Sequence, residues 1–393
     1  MTQFARRMDG VTGSAIRELF HLLSDKELIS FGGGNPARES FPVNEIRKIT
    51  DDILSDSILQ YGGTEGLPLL REMYLEHMVR PKGVKTEDSD VLILTGSMQG
   101  INLICEILLD PGDAVLVEAP TFLGTLQTMD IFQADKIPVP MDENGVLPDE
   151  LEALMKKHRP KMFYCIPTFQ NPSGITTTKE RRERIAKLAH EYGVLVVEDD
   201  PYGDLRYAGE PIPPIKYFDK GGDVLLLNSF SKIISPGIRV GCAFGKPEII
   251  RKMTIAKQSA DTHTSNLSQG IAAEFLRRGL LPEHLKRINA IYSERLNAML
   301  AAMDMHFPKS CTYTRPQGGL FVWGELPEGC DAAALLKRAT SEEKVAYIPG
   351  QHFFTDKEAH KNAFRLNFSC ADPEQIRAGI ERLGKLFSQA CGE

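Results

Sequence analysis

The sequence lacks the features that mark secreted, membrane-spanning and zinc-binding proteins. Its seven cysteines form neither a CxxC pair nor a Cys/His pattern with metal-ligand spacing. No apolar run reaches the roughly 18 residues that cross a bilayer, and the amino terminus MTQFARRMDG has no apolar signal core. We therefore predict free thiols, no metal site, no membrane contact and a cytoplasmic location.

An excess of positive charge is missing as well. The formal net charge is -7, and acidic and basic residues are interspersed, which argues against a surface for nucleic acid or anionic membrane. A chain of 393 residues exceeds what one hydrophobic core usually supports, so two domains are expected. The composition is that of an ordinary globular protein, and we expect a small-molecule ligand.

What the sequence does contain is an alternation of short apolar runs and helical stretches. The runs rich in β-forming residues are 91–94, 114–119, 162–166, 194–199 and 224–228. They are apolar on both faces, which predicts a parallel α/β sheet covered by helices on each side. From about residue 285 a long amphipathic helix and short strands predict a smaller α+β domain. The predicted division is an arm and part of the small domain (1–40), a large domain (41–285) and a small domain (286–393).

Each predicted strand is followed by a polar cluster, namely TGSMQG, PTFLGT, PTFQNPSG, DDPYGD and SFSK. Because open parallel sheets bind ligands at the carboxyl ends of their strands, we expect these clusters to surround one ligand. Gly96 and Ser97 open a helix and could bind a phosphate, although serine is also a common helix cap and capping is the default interpretation of Ser97. Phe122 could lie against an aromatic ligand or belong to the core. Spacing alone does not decide whether Asp199 or Asp200 faces the ligand.

The stretch NSFSKIISPGIRVG places Lys232 and Arg239 directly after an apolar run. Solvated loop charges are the default interpretation of such residues. Together with a phosphate site and a buried acid, however, they match the needs of pyridoxal 5'-phosphate. The lysine would form a Schiff base with its aldehyde, the acid would keep its ring nitrogen protonated, and the arginine would hold its phosphate.

The segment SFSKIISPGIRVG resembles the signature S-x-S/T-K-x-x-x-P-G-x-R-x-G of the class I/II aminotransferases, which are fold-type I pyridoxal-phosphate enzymes. The resemblance covers essentially the whole chain. It implies a large domain with a mostly parallel seven-stranded sheet sandwiched by helices, plus a smaller α+β domain. By this match Lys232 is the Schiff-base lysine and Arg239 binds the phosphate.

Two further motifs resemble those of the family. NPSG assigns Asn171 to the phenolic oxygen of the cofactor, and the D-x-x-Y pattern assigns Asp199 to the ring nitrogen and Tyr202 to the phenolic oxygen. Phe122 stands where relatives often have a stacking tyrosine, and Met98 where they often have glutamine. The cofactor-binding residues that the resemblance implies are Gly96, Ser97, Met98, Phe122, Asn171, Asp199, Tyr202, Ser229, Ser231, Lys232, Arg239 and, from a neighbouring subunit, Tyr61.

The substrate residues follow from the same resemblance. AFRLNF assigns Arg365 to the substrate α-carboxylate, with Asn171 beside it, and LQYGGTEG places Tyr61 at a neighbour's cofactor, which implies a homodimer with active sites at the interface. SAIREL and FGGGNP resemble the 2-aminoadipate, kynurenine and broad-specificity aromatic branch, in which Arg17 and Gly34 would face the substrate.

The expected reaction is transfer of an amino group from an L-amino acid to 2-oxoglutarate by a ping-pong mechanism, with Lys232 moving the proton. Another reaction on the same fold, such as a β-lyase or racemase, is an alternative. A non-catalytic ligand-sensing module is less favoured because no helix-turn-helix pattern and no basic patch are found. FGGGNP does not have the GxGxxG spacing of a nicotinamide site.

Overall fold

The computed structural model describes residues 4–9, 11 and 27–393, and Arg17 lies outside these ranges. Its main sheet has eight strands. In spatial order they are Asp90–Leu94, Gly241–Gly245, Val224–Ser229, Leu195–Asp200, Met162–Cys165, Ala114–Ala119, Asp135–Asp142 and Gly145–Val146. The five from Val224–Ser229 to Asp135–Asp142 run parallel, so the mostly parallel α/β class is confirmed. The strand beyond the predicted seven is the two-residue edge strand.

Three strands of this sheet were not predicted from the sequence: the edge strand Gly145–Val146 and two longer ones. Asp135–Asp142 contains Pro138 and Pro140, which normally argue against a strand, but its outer neighbour pairs only with Met141 and Asp142. Prolines are tolerated there because the strand lies beside the edge and needs no donor on its outer side. Gly241–Gly245 is fully buried and antiparallel to both neighbours. It was not predicted because the glycines at its two ends are unfavourable in strands.

Helices cover both faces of the main sheet, as predicted. On one face the buried residues Leu116, Phe163 and Val196 pack with Ile185 and Leu188 of the helix Lys179–Tyr192. The larger core fills the other face and continues into the carboxyl-terminal part of the chain. The helices between residues 43 and 277 are Val43–Ile53, Asp56–Leu59, Pro68–Tyr74, Ser97–Leu108, Leu123–Ile131, Pro148–His158, Lys179–Tyr192, Ile215–Phe218, Pro247–Ala260 and Asn266–Arg277.

The remaining part is built on a small antiparallel sheet, ordered Thr312–Tyr313, Phe321–Glu325, Ala363–Asn367 and Ile348–Pro349. The helices Leu281–His306, Ala332–Ser341 and Pro373–Cys391 accompany it. Ile29–Ser30 pairs in parallel with Val345–Ala346, so the beginning of the described range 27–393 joins this part. The predicted boundary at residues 285 and 286 falls inside the helix Leu281–His306.

Membrane-spanning character is not found in the described ranges, where every helix is too short or too polar to cross a bilayer.

Candidate active site

A cavity of about 270 Å³ opens at the carboxyl ends of the central strands, and it brings together most of the predicted residues. Those that line it are Gly34, Ser97, Met98, Phe122, Asn171, Asp199, Tyr202, Ser229, Ser231, Lys232, Arg239 and Arg365. Asn35, Ile166, Pro201 and Phe321 also line it and were not predicted. Asn35 and Pro201 stand in the segments FGGGNP and DDPYGD, but none of the four carries a charge that would have singled it out.

Lys232 lies in the turn after the strand Val224–Ser229. Its side chain is half-buried, and the amine Nζ donates a hydrogen bond of 2.7 Å to the Gly34 carbonyl oxygen. Burial lowers the pKa of Lys232 to about 8, with the positive charges of Arg365 and Arg239 acting in the same direction. Lys232 is therefore not a freely solvated loop charge, because its amine lines the cavity, bonds to a backbone oxygen and has a lowered pKa.

The structure separates the two adjacent acids. Asp199 lines the cavity and is 2% exposed, and its Oδ1 has no hydrogen-bond partner among the described residues. Asp200 points to the other face of the strand, where its carboxylate accepts from Lys82 Nζ at 3.0 Å and from the Gly203 N–H at 2.9 Å. Burial opposes ionisation of Asp200, but the Lys82 ammonium holds its pKa below the usual range. Only Asp199 is available to a ligand.

Tyr164 is a site residue that sequence reasoning missed. It lies on the strand next to that of Asp199, and its hydroxyl donates a 2.8 Å hydrogen bond to Asp199 Oδ2. Burial raises the pKa of Asp199 to about 7, and the Tyr164 hydroxyl partly offsets that rise. The only signal in the sequence was a tyrosine within the otherwise apolar run MFYCI, since a buried hydroxyl needs a partner.

An anion site lies at the start of the helix Ser97–Leu108. Gly96 is the residue before the helix, so the alternative of Ser97 as its cap is wrong. Arg239 donates from Nη2 to the Thr95 carbonyl oxygen at 3.0 Å, which holds its guanidinium beside this helix start. A Cβ added at Gly96 would lie 2.5 Å from that nitrogen. Free N–H groups and a guanidinium together favour an anion such as phosphate.

Arg365, on the strand Ala363–Asn367, is 1% exposed. Nη1 donates to Asn171 Oδ1 at 2.8 Å and Nη2 donates to the Gly32 carbonyl oxygen at 2.6 Å. Nε is buried without a partner in the part of the chain that the structure describes. The guanidinium lies 4.2 Å from the ring centre of Phe321 and 5.0 Å from that of Phe353, and burial lowers its pKa to about 9. It is a cation that faces the cavity and has no carboxylate partner among the residues that the structure describes.

Other predicted residues are not brought into this cavity. Tyr61 is 82% exposed and contacts the ring of His263 instead. Within residues 4–9, 11 and 27–393 no cluster of side chains could hold a metal ion. A larger cavity of about 810 Å³ lies nearby, around Trp323 and Phe354, but no lysine or arginine lines it.

Comparison with known proteins identifies the family. The model of the family "Aminotransferase class I and II" matches residues 26–383. An aromatic-amino-acid aminotransferase of Thermococcus litoralis is 41% identical over 394 residues, which cover 98% of this chain and 94% of that protein.

Solved structures agree with the sequence match. A multiple substrate aminotransferase from Thermococcus profundus superposes with a TM-score of 0.95 at 40% identity, covering 99% of this chain and 98% of the other. The α-aminoadipate aminotransferase LysN from Thermus thermophilus, complexed with N-(5'-phosphopyridoxyl)-L-leucine, gives a TM-score of 0.90 at 39% identity, covering 99% and 98%. The chain belongs to the class I and II aminotransferases and is a pyridoxal-phosphate-dependent transaminase.

Proposed function

We propose that the protein moves the amino group of an L-amino acid of the 2-aminoadipate, aromatic or branched aliphatic type to 2-oxoglutarate, with ping-pong kinetics. The observation that carries this proposal is one cavity that holds the weakly basic Lys232, the unpaired Asp199 oxygen and the Arg365 guanidinium. The substrate classes are those for which similar proteins are named, aromatic amino acids and α-aminoadipate, and one of those structures contains a leucine adduct.

Pyridoxal 5'-phosphate fits the residues present. The buried and unpartnered Asp199 Oδ1 suits the N–H of a protonated pyridine ring. The start of the helix Ser97–Leu108, with Arg239 and the hydroxyls of Ser229 and Ser231, suits the phosphate. Asn171 and Tyr202, whose side chains are 3.4 Å apart, would both reach the phenolic oxygen. When bound, this cofactor supplies an aldehyde that accepts amino groups and a ring that withdraws electrons.

Lys232 performs the proton transfer in this proposal. With the cofactor bound, the Lys232 amine would be the group placed to accept the proton from the substrate Cα and to donate it again. A pKa lowered to about 8 leaves a useful fraction of the amine neutral near pH 7. Asp199 stays in place throughout, because Tyr164 fixes one of its oxygens.

Arg365 binds the substrate α-carboxylate. Its existing bonds to Asn171 and Gly32 fix the guanidinium plane, and its remaining N–H groups, including the unpartnered Nε, can donate to a carboxylate. The rings of Phe321 and Phe353 keep water from its faces. Gly34 lies opposite, where a Cβ would come within 3.1 Å of the Phe321 ring, so a side chain there would narrow the substrate space.

The quaternary structure that we propose is a homodimer with each active site at the interface. Tyr61 supports it, since its exposed ring lies outside the cavity of its own chain and is free to reach a neighbour's cofactor. We also propose a cytoplasmic location, with amino acids and 2-oxo acids as the small-molecule partners.

The test of this function is a panel of donors, L-2-aminoadipate, L-phenylalanine and L-leucine, each incubated with 2-oxoglutarate and assayed for glutamate. We expect glutamate from all three and parallel lines in double-reciprocal plots of the two substrates. Release of ammonia and pyruvate from a cysteine conjugate without any oxo acid, and no glutamate from the panel, would instead establish a β-lyase.

Arg17 and Arg365 are expected to have different effects on specificity. Arg365→Ala removes the partner of the α-carboxylate, so kcat/KM should fall for every donor. The fall should correspond to a loss of about 1.5 to 3 kcal/mol of transition-state stabilisation. Arg17→Ala should raise KM for 2-aminoadipate and leave phenylalanine, measured in the half-reaction, nearly unchanged. Equal effects of Arg17→Ala on both donors would remove Arg17 from the substrate site.

A further inference from the structure

Two cysteines that are far apart in the sequence meet in the carboxyl-terminal part of the molecule. Cys330 Sγ and Cys391 Sγ lie 3.9 Å apart and are separated by 61 positions along the chain. The spacing of cysteines in the sequence gave no indication of this pair, because the contact forms only when the last helix packs back on the small sheet. All seven cysteines are free thiols.

Both partners lie at the ends of elements, where small adjustments are easy. Cys330 precedes Asp331, whose carboxylate caps the helix Ala332–Ser341, and its own N–H is bonded to the Pro327 carbonyl oxygen. Cys391 is the last residue of the helix Pro373–Cys391, which ends at Gly392. A disulfide needs the sulfurs at about 2.05 Å. Rotation of the Cys391 side chain in a terminal helical turn can supply that approach.

The pair is also within reach of a small oxidant, since both side chains are only partly buried. The other thiols differ from it in this respect. Cys105, Cys165, Cys242 and Cys311 are buried, and Cys370 is exposed with its thiol 3.0 Å from the Asn35 carbonyl oxygen, far along the chain from either partner. The pair is thus the place in the protein where two accessible sulfurs already touch.

We propose that Cys330 and Cys391 form a reversible intramolecular disulfide when the protein meets a hydroperoxide. The Cys330 thiolate attacks the peroxide oxygen, becomes a sulfenic acid and releases water, or an alcohol from an organic peroxide. The Cys391 sulfur then attacks the Cys330 sulfur and displaces a second water. Two thiols are oxidised by two electrons, the peroxide is reduced, and a thiol reductant restores the pair.

The order of these two steps follows from the local environment. Burial, together with the neighbouring Cys330 thiol, raises the pKa of Cys391 to about 11, so this residue is suited to the second step rather than the first. The new bond would close a loop that contains the strand Ala363–Asn367 with Arg365. A cross-link over so long a loop restricts the unfolded chain strongly, so the oxidised protein should be the more stable form.

The test is oxidation of the cofactor-loaded enzyme with a small excess of hydrogen peroxide, followed by alkylation of the remaining thiols and digestion with endoproteinase Glu-C. Cleavage after Glu325 and Glu328 separates Cys330 from Cys311, which trypsin would leave on one peptide. We expect five alkylated cysteines, one cross-linked Cys330–Cys391 peptide pair, monomer mobility on a non-reducing gel, and a melting temperature that rises by a few degrees and returns with dithiothreitol.

Matched variants make the result decisive. Cys391→Ser and Cys330→Ser should abolish both the cross-link and the rise in melting temperature, whereas Cys370→Ser, which removes an exposed thiol elsewhere, should retain both. The alkylated thiols are counted in the peroxide-treated protein that carries no substitution, so this count does not depend on how well any variant folds. Seven alkylated cysteines after peroxide treatment, a cross-link to Cys311, or covalent dimers through Cys330 or Cys391 would each overturn the proposal.

Discussion

At the scale of single residues, Asp199 and Asp200 are neighbours in the chain with different surroundings. Asp199→Asn should reduce kcat/KM by several orders of magnitude, because the amide cannot keep the ring nitrogen protonated, while the melting temperature changes little. Asp200→Asn should mainly lower stability, by about 2 kcal/mol, because it leaves the largely buried Lys82 ammonium with Asp204, at 3.5 Å, as its remaining carboxylate partner.

Steady-state kinetics and thermal denaturation of the two variants check this separation. Similar losses of activity in variants of equal stability would show that the two carboxylates are not divided in this way.

The Lys232 amine gives a prediction about pH. Its pKa is lowered from the ordinary value of a lysine to about 8 by burial, and only the neutral amine attacks an aldehyde. The rate at which the cofactor-free enzyme takes up pyridoxal 5'-phosphate should therefore rise about tenfold per pH unit below pH 8 and level off above it. Stopped-flow absorbance measures this rate. A steady tenfold rise per unit up to pH 10 would mean an unperturbed lysine.

Site residues could be predicted from the sequence where a local motif contains them, and not where a distant contact determines their role. Lys232, Arg239 and Asn171 stand in patterns of fixed spacing, so the sequence singled them out. Asp199 and Asp200 could not be separated by spacing, because what separates them is Lys82, more than a hundred positions away. Tyr164 and Phe321 act through contacts between strands that are distant in sequence, and no local pattern reports such contacts.

At the scale of elements, the start of the helix Ser97–Leu108 can be tested through Gly96. Gly96 has a φ of 82°, and a Cβ there would lie 2.5 Å from Arg239 Nη2. Gly96→Ala should strain the backbone and displace the guanidinium, so the dissociation constant for pyridoxal 5'-phosphate should rise about tenfold, a loss near 1.4 kcal/mol.

Gly112 offers a matched control for that substitution. Its φ is 88°, and nothing lies within 4 Å of an added Cβ. Gly112→Ala therefore introduces the backbone strain without the contact, and equilibrium dialysis should show unchanged cofactor affinity. Equal weakening in both variants would show that strain alone, rather than the position of Arg239, sets the affinity.

Elements were predictable where their own composition defined them. The five apolar runs were continuous and the long helices had clear periodicity, and the structure contains them. The strand Asp135–Asp142 was missed because its prolines are unfavourable in most strands, and their tolerance here depends on a place beside the sheet edge. Position within a sheet is a tertiary property, and it cannot be derived from eight residues.

At the scale of the whole molecule, the proposed homodimer can be tested by mixing two defective variants. Lys232→Ala lacks the amine, and Tyr61→Ala lacks the side chain that we expect to serve the neighbour's site. A hybrid dimer has one site with both native residues. After subunit exchange of an equal mixture, activity should recover to about a quarter of the wild-type value, because half of the dimers are hybrids with one complete site.

The coupled assay for glutamate measures this recovery. If Tyr61 served its own chain, each hybrid would contain only defective sites, and the mixture would show no more than the average of the two parents.

The division of the cavity between two sheets has a consequence for protein engineering. The residues that we assign to the cofactor come from the main sheet and its loops, whereas Arg365 and Phe321 come from the small antiparallel sheet. Substitution libraries confined to the small sheet and the segment around Gly34 can therefore alter donor preference. The residues that carry the catalytic chemistry remain unchanged in such libraries. Such libraries can change which amino donors the enzyme accepts while the residues that we assign to the cofactor stay the same.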